Sequence, residues 1–587
     1  MYRTWYCTEV QMEQVNQSVV LSGWIERIRE IGGLAFILLR DHTGVIQIVI
    51  QQNNPCMSQI KNLHHEDVIK ITGTVRARES ELVNPALKTG TLEVVLQELE
   101  VLNPCAALPF QPFQSQNVDE NLRLKYRYLD TRNSQVIERF KTKHQIMQTT
   151  RNFFSNHQFM EIETPYLGRS TPEGARDFIV PSRILPGKFY ALTQSPQLFK
   201  QLLMIGGINR YFQICRCFRD EDFRLDRQPE FSQIDFELSF TTEQEIRFLI
   251  EGLMKEIFTA LDLPELSTPF FTMTHQEAIS RYGTDKPDLR YDLSFVSLNE
   301  LLRDSPQEFV QQNMADGKEW VGFRLPGELV SLSRKDIDKI MGDFPSGGDK
   351  LYILKYREDG LNANFLGDQE KEALQEKLAL FPNDWLVLCI GQQRSVLKLL
   401  GSLRSHFGKT YILPHAKPSF QFAWIVNFPL FTWNEELSKL DSEHHPFTLP
   451  RIANEEELNQ LDPLTIGSHA FDLVLNGFEL GSGGLRIYKP SMQREVFRKV
   501  GLSDAKIEQD FGFLLEALSL GAPPEGGFAI GLDRLVMLIS DSSSLREVIA
   551  FPKNTKGVSP LTGEPSALSS KQLDDLSLHV ISEAKIE

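Results

Sequence analysis

Between Phe218 and Glu237 the chain reads FRDEDFRLDRQPEFSQIDFE. Arg219, Arg224 and Arg227 stand there among Asp220, Glu221, Asp222, Asp226 and Glu230. Apolar strand-like runs flank the stretch, RYFQICRCF before it and FSQIDFELSF after it, which predicts a hairpin with a charged tip. Cations and carboxylates held on a rigid hairpin suit a ligand with both phosphates and amine donors, such as a nucleotide. A solvated turn laced with salt bridges would show the same charge pattern, so other segments must decide.

Two glycine-rich segments add to this chemistry. GGFAIGLDRLVM (526–537) places Arg534 in the first turn of a helix that follows a strand. A helix N-terminus beside a guanidinium makes a phosphate site, whereas a packing strand with a surface arginine would read the same. NGFELGSGGLRIY (476–488) carries Glu479 and Arg486 on one strand, with Asp472 seven positions before Glu479. Two such acids can share Mg2+, which prefers oxygen ligands, or can serve as cross-strand salt bridges. His444 and His445 precede a proline in the loop SEHHPFT. Cys215 and Cys217 have no second Cys or His pair near them in sequence, so buried thiols fit better than zinc. GKT at 408–410 ends like a P-loop, but Leu403 stands where the upstream glycine belongs. No GxSxG or HExxH occurs.

Several elements must position these residues. Residues 1–107 read as five short strands punctuated by Gly23, Gly44, Gly73 and Gly90, which predicts a small closed barrel of the OB type. Residues 108–130 read as a hinge or linker. A helical pattern to Asn156 opens a segment 131–293 of strands and helices. Residues 294–418 alternate helical and strand-like runs with few candidate catalytic clusters, as an inserted α/β domain would. Strands resume in 419–587. The expected fold class is multidomain α+β.

The 587 residues exceed what one core holds. With 41% hydrophobic and 24% charged residues, the composition is that of a soluble globular chain. No run is long enough to cross a bilayer and the N-terminus has no signal-peptide core, so a cytoplasmic protein without membrane contact is expected. A net charge of −16 disfavours indiscriminate nucleic-acid binding. Residues 1–107 hold nine Lys/Arg against twelve Asp/Glu, so any RNA recognition there is local.

Taken in order, these segments resemble the three motifs of a class II aminoacyl-tRNA synthetase. The helix–strand unit ending at Pro165 resembles motif 1, the dimer element; FRDE (218–221) resembles motif 2; GLDR (531–534) resembles motif 3. TPEGARDF (171–178), TQSPQLFKQLLM (193–204), HHPFT (444–448) and GFELGSGGLRI (477–487) are similar to the bacterial aspartyl-tRNA synthetases, over essentially the whole chain. The insertion 294–418 is similar to the extra domain of the bacterial form.

The resemblance implies an antiparallel class II sheet flanked by helices, a homodimer, and a two-step reaction. Aspartate is activated by ATP with Mg2+, then transferred to the 3′ end of tRNA(Asp). It implies an aspartate site of Glu173, Ser195, Gln197, Leu198, Phe199, Lys200, Arg219, Asp235, His444, His445 and Arg486. Among these, Arg486 and Lys200 take the side-chain carboxylate, and Glu173, Gln197 and Asp235 suit the α-ammonium. The two histidines belong to a loop that closes over aspartate. For ATP it implies Arg219, Asp220, Glu221, Gln228, Glu479, Gly531, Leu532, Asp533 and Arg534, with Arg219 and Arg534 as the catalytic cations. For the metal it implies Asp472 and Glu479. Phe36 matches the position that stacks on an anticodon base, with Arg29, Gln47 and Glu93 as edge readers. Some bacterial members also aspartylate tRNA(Asn). Ile31 stands where a histidine often accompanies that relaxed type, which leans toward tRNA(Asp) alone. The competing assignments are an asparaginyl or lysyl synthetase, a synthetase-like amide ligase working through an acyl-adenylate, and a pure nucleic-acid-binding protein. LDRQPEFSQIDFE with Arg486 favours aspartate, the OB-like domain disfavours the amide ligase, and the full set of ATP-site residues disfavours the last.

Overall fold

Alternating apolar residues close the first hundred positions into a barrel. A computed structural model describes residues 1–171 and 175–581. In it β1 (Ser18–Ile31), β2 (Leu34–Arg40), β3 (Val45–Ile50), β4 (Val68–Ala77) and β5 (Leu92–Asn103) form a closed sheet in the order β1-β2-β3-β5-β4. Ile37, Leu39, Ile46, Ile48, Ile69, Ile71 and Val94 fill its interior, all fully buried. The alternate positions therefore point outward.

The chain divides into two compact units, Met1–Lys141 with Arg546–Ser566, and Thr142–Leu545 with Ala567–Glu587. In the first unit, the stretch read as a linker carries the short helices Glu120–Lys125 and Arg127–Asp130. Arg127 is buried there. Its guanidinium pairs with Asp130 (2.5 Å) and donates to the carbonyls of Ile549 (2.8 Å) and Ala550 (2.9 Å). A buried arginine held by main-chain oxygens makes this stretch a packed connector rather than a free hinge.

The second unit is built on an eight-stranded sheet. Its strands are β6 (Met160–Glu161), β7 (Arg210–Phe218), β8 (Glu230–Ser239), β9 (Phe271–Thr274), β10 (Phe422–Val426), β11 (Ala470–Leu475), β12 (Phe478–Leu485) and β13 (Glu525–Gly531). The order is β9-β10-β11-β12-β13-β8-β7-β6. The six inner strands pair antiparallel, and the short strands β9 and β6 pair parallel at the two edges. β11 and β12 are joined by Asn476-Gly477, both at positive φ (53° and 85°), the backbone an Asn-Gly hairpin turn requires. Helices α1 (Ser134–Asn156), α2 (Gln197–Ile205), α3 (Glu243–Ala260) and α4 (Leu532–Ile539) accompany the sheet. The α3 start is a reciprocal cap, Thr242 with Glu245.

Between β9 and β10 the chain makes a separate five-stranded sheet of Val296–Ser297, Glu319–Leu325, Trp385–Gly391, Lys350–Arg357 and Gly360–Leu361, in that order. Trp385–Gly391 is buried at every position because apolar clusters cover both of its faces, one around Phe323 and Val387, the other around Trp320 and Leu386.

Candidate active site

Strand register assembles the site. One row runs across the sheet: Gln213 opposite Asp235, Asp235 opposite Ala529, Ala529 opposite Ser482, and Ser482 opposite Asp472. Residues directly opposite share a face, so Asp235 on β8 and Asp472 on β11 look to the same side across two small side chains. Glu237, two positions after Asp235, joins that face, opposite Gly527. A Cβ added at Gly527 would lie 2.1 Å from Glu237 Oε2, so glycine here makes room for the carboxylate.

These groups form one buried ionic cluster. Lys200 reaches up from α2, its Nζ 2.9 Å from both Asp235 Oδ2 and Glu237 Oε2. Arg486, just past β12, forks onto Glu237 through Nε (2.8 Å) and Nη2 (3.2 Å). Its Nη1 donates to His445 Nε2 at 2.8 Å. Lys200, Asp235, Glu237 and Arg486 are each at most 2% exposed. Glu525, also buried, accepts weakly from Gln201 Nε2 (3.4 Å).

Burial and neighbours set the protonation states. Burial raises Glu237, but Arg486 and Lys200 outweigh it and hold the carboxylate below its ordinary range. Burial, with the charge of Glu237 beside it, pushes Glu525 well above the ordinary range, so it is a neutral acid. Burial lifts Asp235 to about 6 despite Lys200. Burial and then Arg486 push His445 well down, so its ring is neutral. Nε2 faces Arg486, and Nδ1 accepts from the Phe447 amide (3.2 Å) and lies 3.3 Å from Thr448 Oγ1. At neutral pH two buried cations thus face two buried carboxylates.

The metal-type carboxylates meet on the same face. A bulge between Leu473 and Val474 shifts the β11–β12 register, so Glu479 falls opposite Val474 while Asp472 stays opposite Ser482. Without it Glu479 would point to the other face. Burial, and further along the charge of Glu479, raises Asp472. His444 Nε2 lies 3.0 Å from Asp472 Oδ1; burial disfavours its charge, but Asp472 prevails and raises it. Glu479 is held low, against burial, by Lys286, whose Nζ lies 2.6 Å away. Among the described residues no group of three or more His, Cys, Asp or Glu side chains is set to hold a metal ion.

The two candidate catalytic arginines lie on the surrounding elements. Arg219 caps the motif hairpin, its guanidinium 5.2 Å from the centroid of Phe231, with a buried Nε that has no partner among the described residues. Arg534, in the first turn of α4, donates to the carbonyls of Glu479 (2.6 Å) and Asp226 (3.2 Å), and its own buried Nε lacks a partner. Asp226, which the charge pattern left among turn residues, therefore positions Arg534.

The other expected site residues lie as follows. Glu173 lies outside the described residues. Leu198 packs with Phe447, Phe497 and Phe511 in an apolar cluster, because the helical turn that aims Lys200 at the sheet turns Leu198 away. Leu532 is likewise fully buried in the core. Asp533 spends both oxygens inside the fold, on Lys143 Nζ (2.5 Å) and the Ser232 amide (2.7 Å), so it anchors α4 instead of facing a ligand. Glu221 pairs with Arg227 (2.9 Å) at the half-exposed tip, and Asp220 is exposed with its backbone bridged to Arg176. Gln228 is buried, Ser195 accepts from the Gln197 amide (3.4 Å), and Phe199 is half-buried. Gln197 donates to Gln201 (3.2 Å). Gly531 caps α4. Glu237, Gln201, Glu525 and Lys286 were not foreseen. The i, i+2 spacing of Asp235 and Glu237 on a strand was the one signal that could have found Glu237.

In the first unit, the outward positions bring the anticodon candidates onto one face of the barrel. Arg29 stands opposite Phe36, Phe36 opposite Val49, and Gln47 two positions from Val49. Gln47 Nε2 donates to Glu93 Oε2 (3.1 Å), and Arg76 pairs with Glu93 (2.5 Å). Ile31 is 63% exposed at the end of β1, before the Gly32-Gly33 turn.

The chain matches the family model described as tRNA synthetases class II (D, K and N) over residues 119–555, and an OB-fold nucleic acid binding domain over residues 19–102. Its fold resembles the crystal structure of asparaginyl-tRNA synthetase from Pyrococcus horikoshii complexed with asparaginyl-adenylate, with a TM-score of 0.57 at 18% identity, over 94% of this chain and 98% of that one. Fold and site together define a class II tRNA synthetase. In sequence the chain is 43% identical to the aspartate--tRNA(Asp/Asn) ligase of Aquifex aeolicus, over 99% of this chain and 98% of that protein. It is 42% identical to the aspartate--tRNA ligase of Geobacillus kaustophilus, over 99% of each. This chain belongs to the aspartate--tRNA ligase family of class II synthetases. Among the described residues no helix is long and apolar enough to cross a membrane.

Proposed function

We propose that this protein is an aspartate–tRNA ligase that forms aspartyl-adenylate from aspartate and ATP, then transfers the aspartyl group to the 3′ end of tRNA(Asp). The observation that carries the reading is the buried Lys200–Arg486 pair beside Asp235, on the sheet face that also carries Asp472 and Glu479. An amino acid with a second carboxylate fits this charge pattern. Its side-chain carboxylate is taken by Lys200 and by Arg486 Nη1, whose present partner, the His445 ring, is neutral and exchangeable. Asp235 receives the α-ammonium.

Activation is then mainly positioning and charge neutralisation. The α-carboxylate attacks the α-phosphorus in line and pyrophosphate leaves. Arg219 steadies the α-phosphate and the attacking carboxylate, Arg534 the terminal phosphate, and Gln228 and Glu221 contact the nucleotide. Two carboxylates on one sheet face, Asp472 raised chiefly by its burial, fit a hard cation with its preference for oxygen ligands. Asp472 and Glu479 would hold Mg2+ together with substrate phosphates, and it would neutralise charge on them. In the second step the terminal ribose hydroxyl attacks the adenylate carbonyl and AMP leaves.

On this reading the barrel, residues 1–107, binds the anticodon. Phe36 offers an aromatic platform and Arg29, Gln47 and Glu93 offer hydrogen bonds on the same face. The protein works in the cytoplasm as a homodimer, a reading supported by the motif 1 resemblance and by the short open edge strand β6. Charging purified tRNA(Asp) and tRNA(Asn) with labelled aspartate tests the assignment. Aspartylation of tRNA(Asp) is expected, with tRNA(Asn) charged poorly because Ile31 stands at the position linked to relaxed recognition. Failure to charge tRNA(Asp) contradicts the function, and equal charging of both contradicts the role of Ile31.

Phe36→Ala should raise KM for tRNA by about tenfold, the worth of one base–aromatic stack, while aspartate-dependent ATP–pyrophosphate exchange stays unchanged. Equal loss in both assays contradicts the division of labour. A pH profile checks Asp235. Below about 6 its carboxyl is neutral in the free protein and offers no charge to the substrate ammonium. The exchange kcat/KM for aspartate should therefore fall as pH drops through about 6. An acid limb at the ordinary value of 3.8 would remove Asp235 from that role.

A further inference from the structure

We propose that this protein carries a second anion site, adjoining the candidate active site at Lys286, that binds a small phosphorylated anion of the pyrophosphate class. The site is a cavity of about 470 Å³ whose lining includes Lys286, Lys398, Arg404 and Lys409, with the hydroxyls of Ser402 and Ser405. Its volume lies in the range of small-molecule sites.

Arg404 is the strongest indication. It is 2% exposed and its guanidinium lies between two rings, 4.7 Å from the centroid of Tyr282 and 4.5 Å from that of Tyr291. Nε donates to the Leu293 carbonyl (3.1 Å), and Nη2 to those of Asp288 (2.8 Å) and Tyr291 (3.1 Å). Among the described residues no carboxylate pairs with the guanidinium: Asp288, which lines the same cavity, is forked by Arg290 at 2.9 and 2.7 Å. A buried cation held by carbonyl dipoles and ring faces, with no ion-pair partner, is costly, and burial pulls its pKa down. An anion in the cavity offsets that cost.

The other cations agree. Lys398 and Lys409 form no ion pair among the described residues, whereas Lys286 is committed to Glu479 (2.6 Å). Two lysines without ion-pair partners and the Arg404 guanidinium therefore line one cavity. Its wall is also preformed. Helix Gln393–Phe407 crosses the loop at Gly283 so closely that a Cβ on Gly283 would lie 2.1 Å from the Leu397 carbonyl oxygen. The helix then runs into a π turn, Gly408–Ile412, which carries Lys409 toward Phe478, 5.9 Å from its ring centroid. Such turns mark functional sites more often than chance. Gly408-Lys409-Thr410 is the GKT that is not part of a P-loop, and its lysine lines this cavity instead. The inference stands on these groups alone and does not need the ligase reading.

Calorimetric titration of the full chain with inorganic pyrophosphate tests it. The wild-type protein should bind two equivalents, one of them lost in Arg534→Ala. The other should weaken by about tenfold or more in Lys398→Glu/Lys409→Glu. Both lysines are exposed, so this variant keeps its core, and its ATP–pyrophosphate exchange should match the wild type. Charge reversal at the exposed Lys335 and Lys339 should leave both sites intact. A single equivalent in the wild type, an unchanged isotherm in the cavity variant, or equal weakening by the control variant would overturn the proposal. So would a cavity variant that binds pyrophosphate normally but tRNA poorly, which would make the cations a nucleic-acid contact.

Discussion

Arg486→Leu is expected to cut kcat/KM for aspartate in ATP–pyrophosphate exchange by about 10²–10⁴-fold, the range for removing one partner of a buried, hydrogen-bonded charge pair. Among the described residues the guanidinium is the only arginine fork in the pocket cluster, and its Nη1 is the donor free to leave a neutral ring for a substrate carboxylate. Leucine keeps the bulk and removes the charge. Glu237 keeps Lys200 at 2.9 Å, so the cluster loses one cation without stranding the carboxylate, and the fold should survive with a lowered melting temperature. Arg486→Lys separates charge from geometry. A lysine restores the charge but not the fork onto Glu237, and activity should return only in part. Full activity in Arg486→Leu, with the protein folded, would mean that the side-chain carboxylate binds elsewhere.

Arg219→Ala has the second large effect, a loss of roughly 10²–10³-fold in kcat for exchange, the usual cost of removing one donor to a developing oxyanion. Its buried Nε has no partner among the described residues, and the guanidinium rests against Phe231. That is the state of a group whose hydrogen bonds are made by a ligand. The charge it meets grows at the α-phosphorus as the carboxylate attacks, so the loss falls on kcat more than on KM for aspartate. A pure KM effect would make Arg219 a binding residue only. The variant should melt close to the wild type, since no ion pair is broken.

How much of this was legible in the sequence depends on the type of contact. The barrel could be read because alternation over five short runs needs no partner to be recognised, and its inward set is fully buried. Motif strands β7 and β8 could be read as a hairpin for the same reason. Lys200 and Arg486, 286 positions apart in the chain, came from family resemblance, since local pattern has no knowledge of which strands become neighbours. The β11–β12 bulge is the clearest case of a hidden determinant. It turns Glu479 onto the Asp472 face, yet nothing in NGFELGSGG announces one extra residue. Glu525 and Gln201 were missed because nothing in PPEGG or FKQLL sets them apart, and only the burial of the cluster gives them a role. Leu198, Leu532 and Asp533 turn their side chains into the fold. They sit inside the family's motifs, but motif membership mixes residues that touch a ligand with residues that hold the element in place. The packing of the stretch read as a linker was hidden because Pro and Gln content says nothing about Arg127, whose carbonyl partners lie more than 400 positions away.

The central claim is that two buried cations select a substrate by its side-chain carboxylate. Exchange measured side by side with aspartate, asparagine and lysine tests it most directly. Asparagine cannot neutralise the Lys200–Arg486 pair and lysine adds a third cation to it, so both should fall about 10³–10⁴-fold below aspartate in kcat/KM. Exchange with asparagine or lysine at the aspartate level would contradict the account.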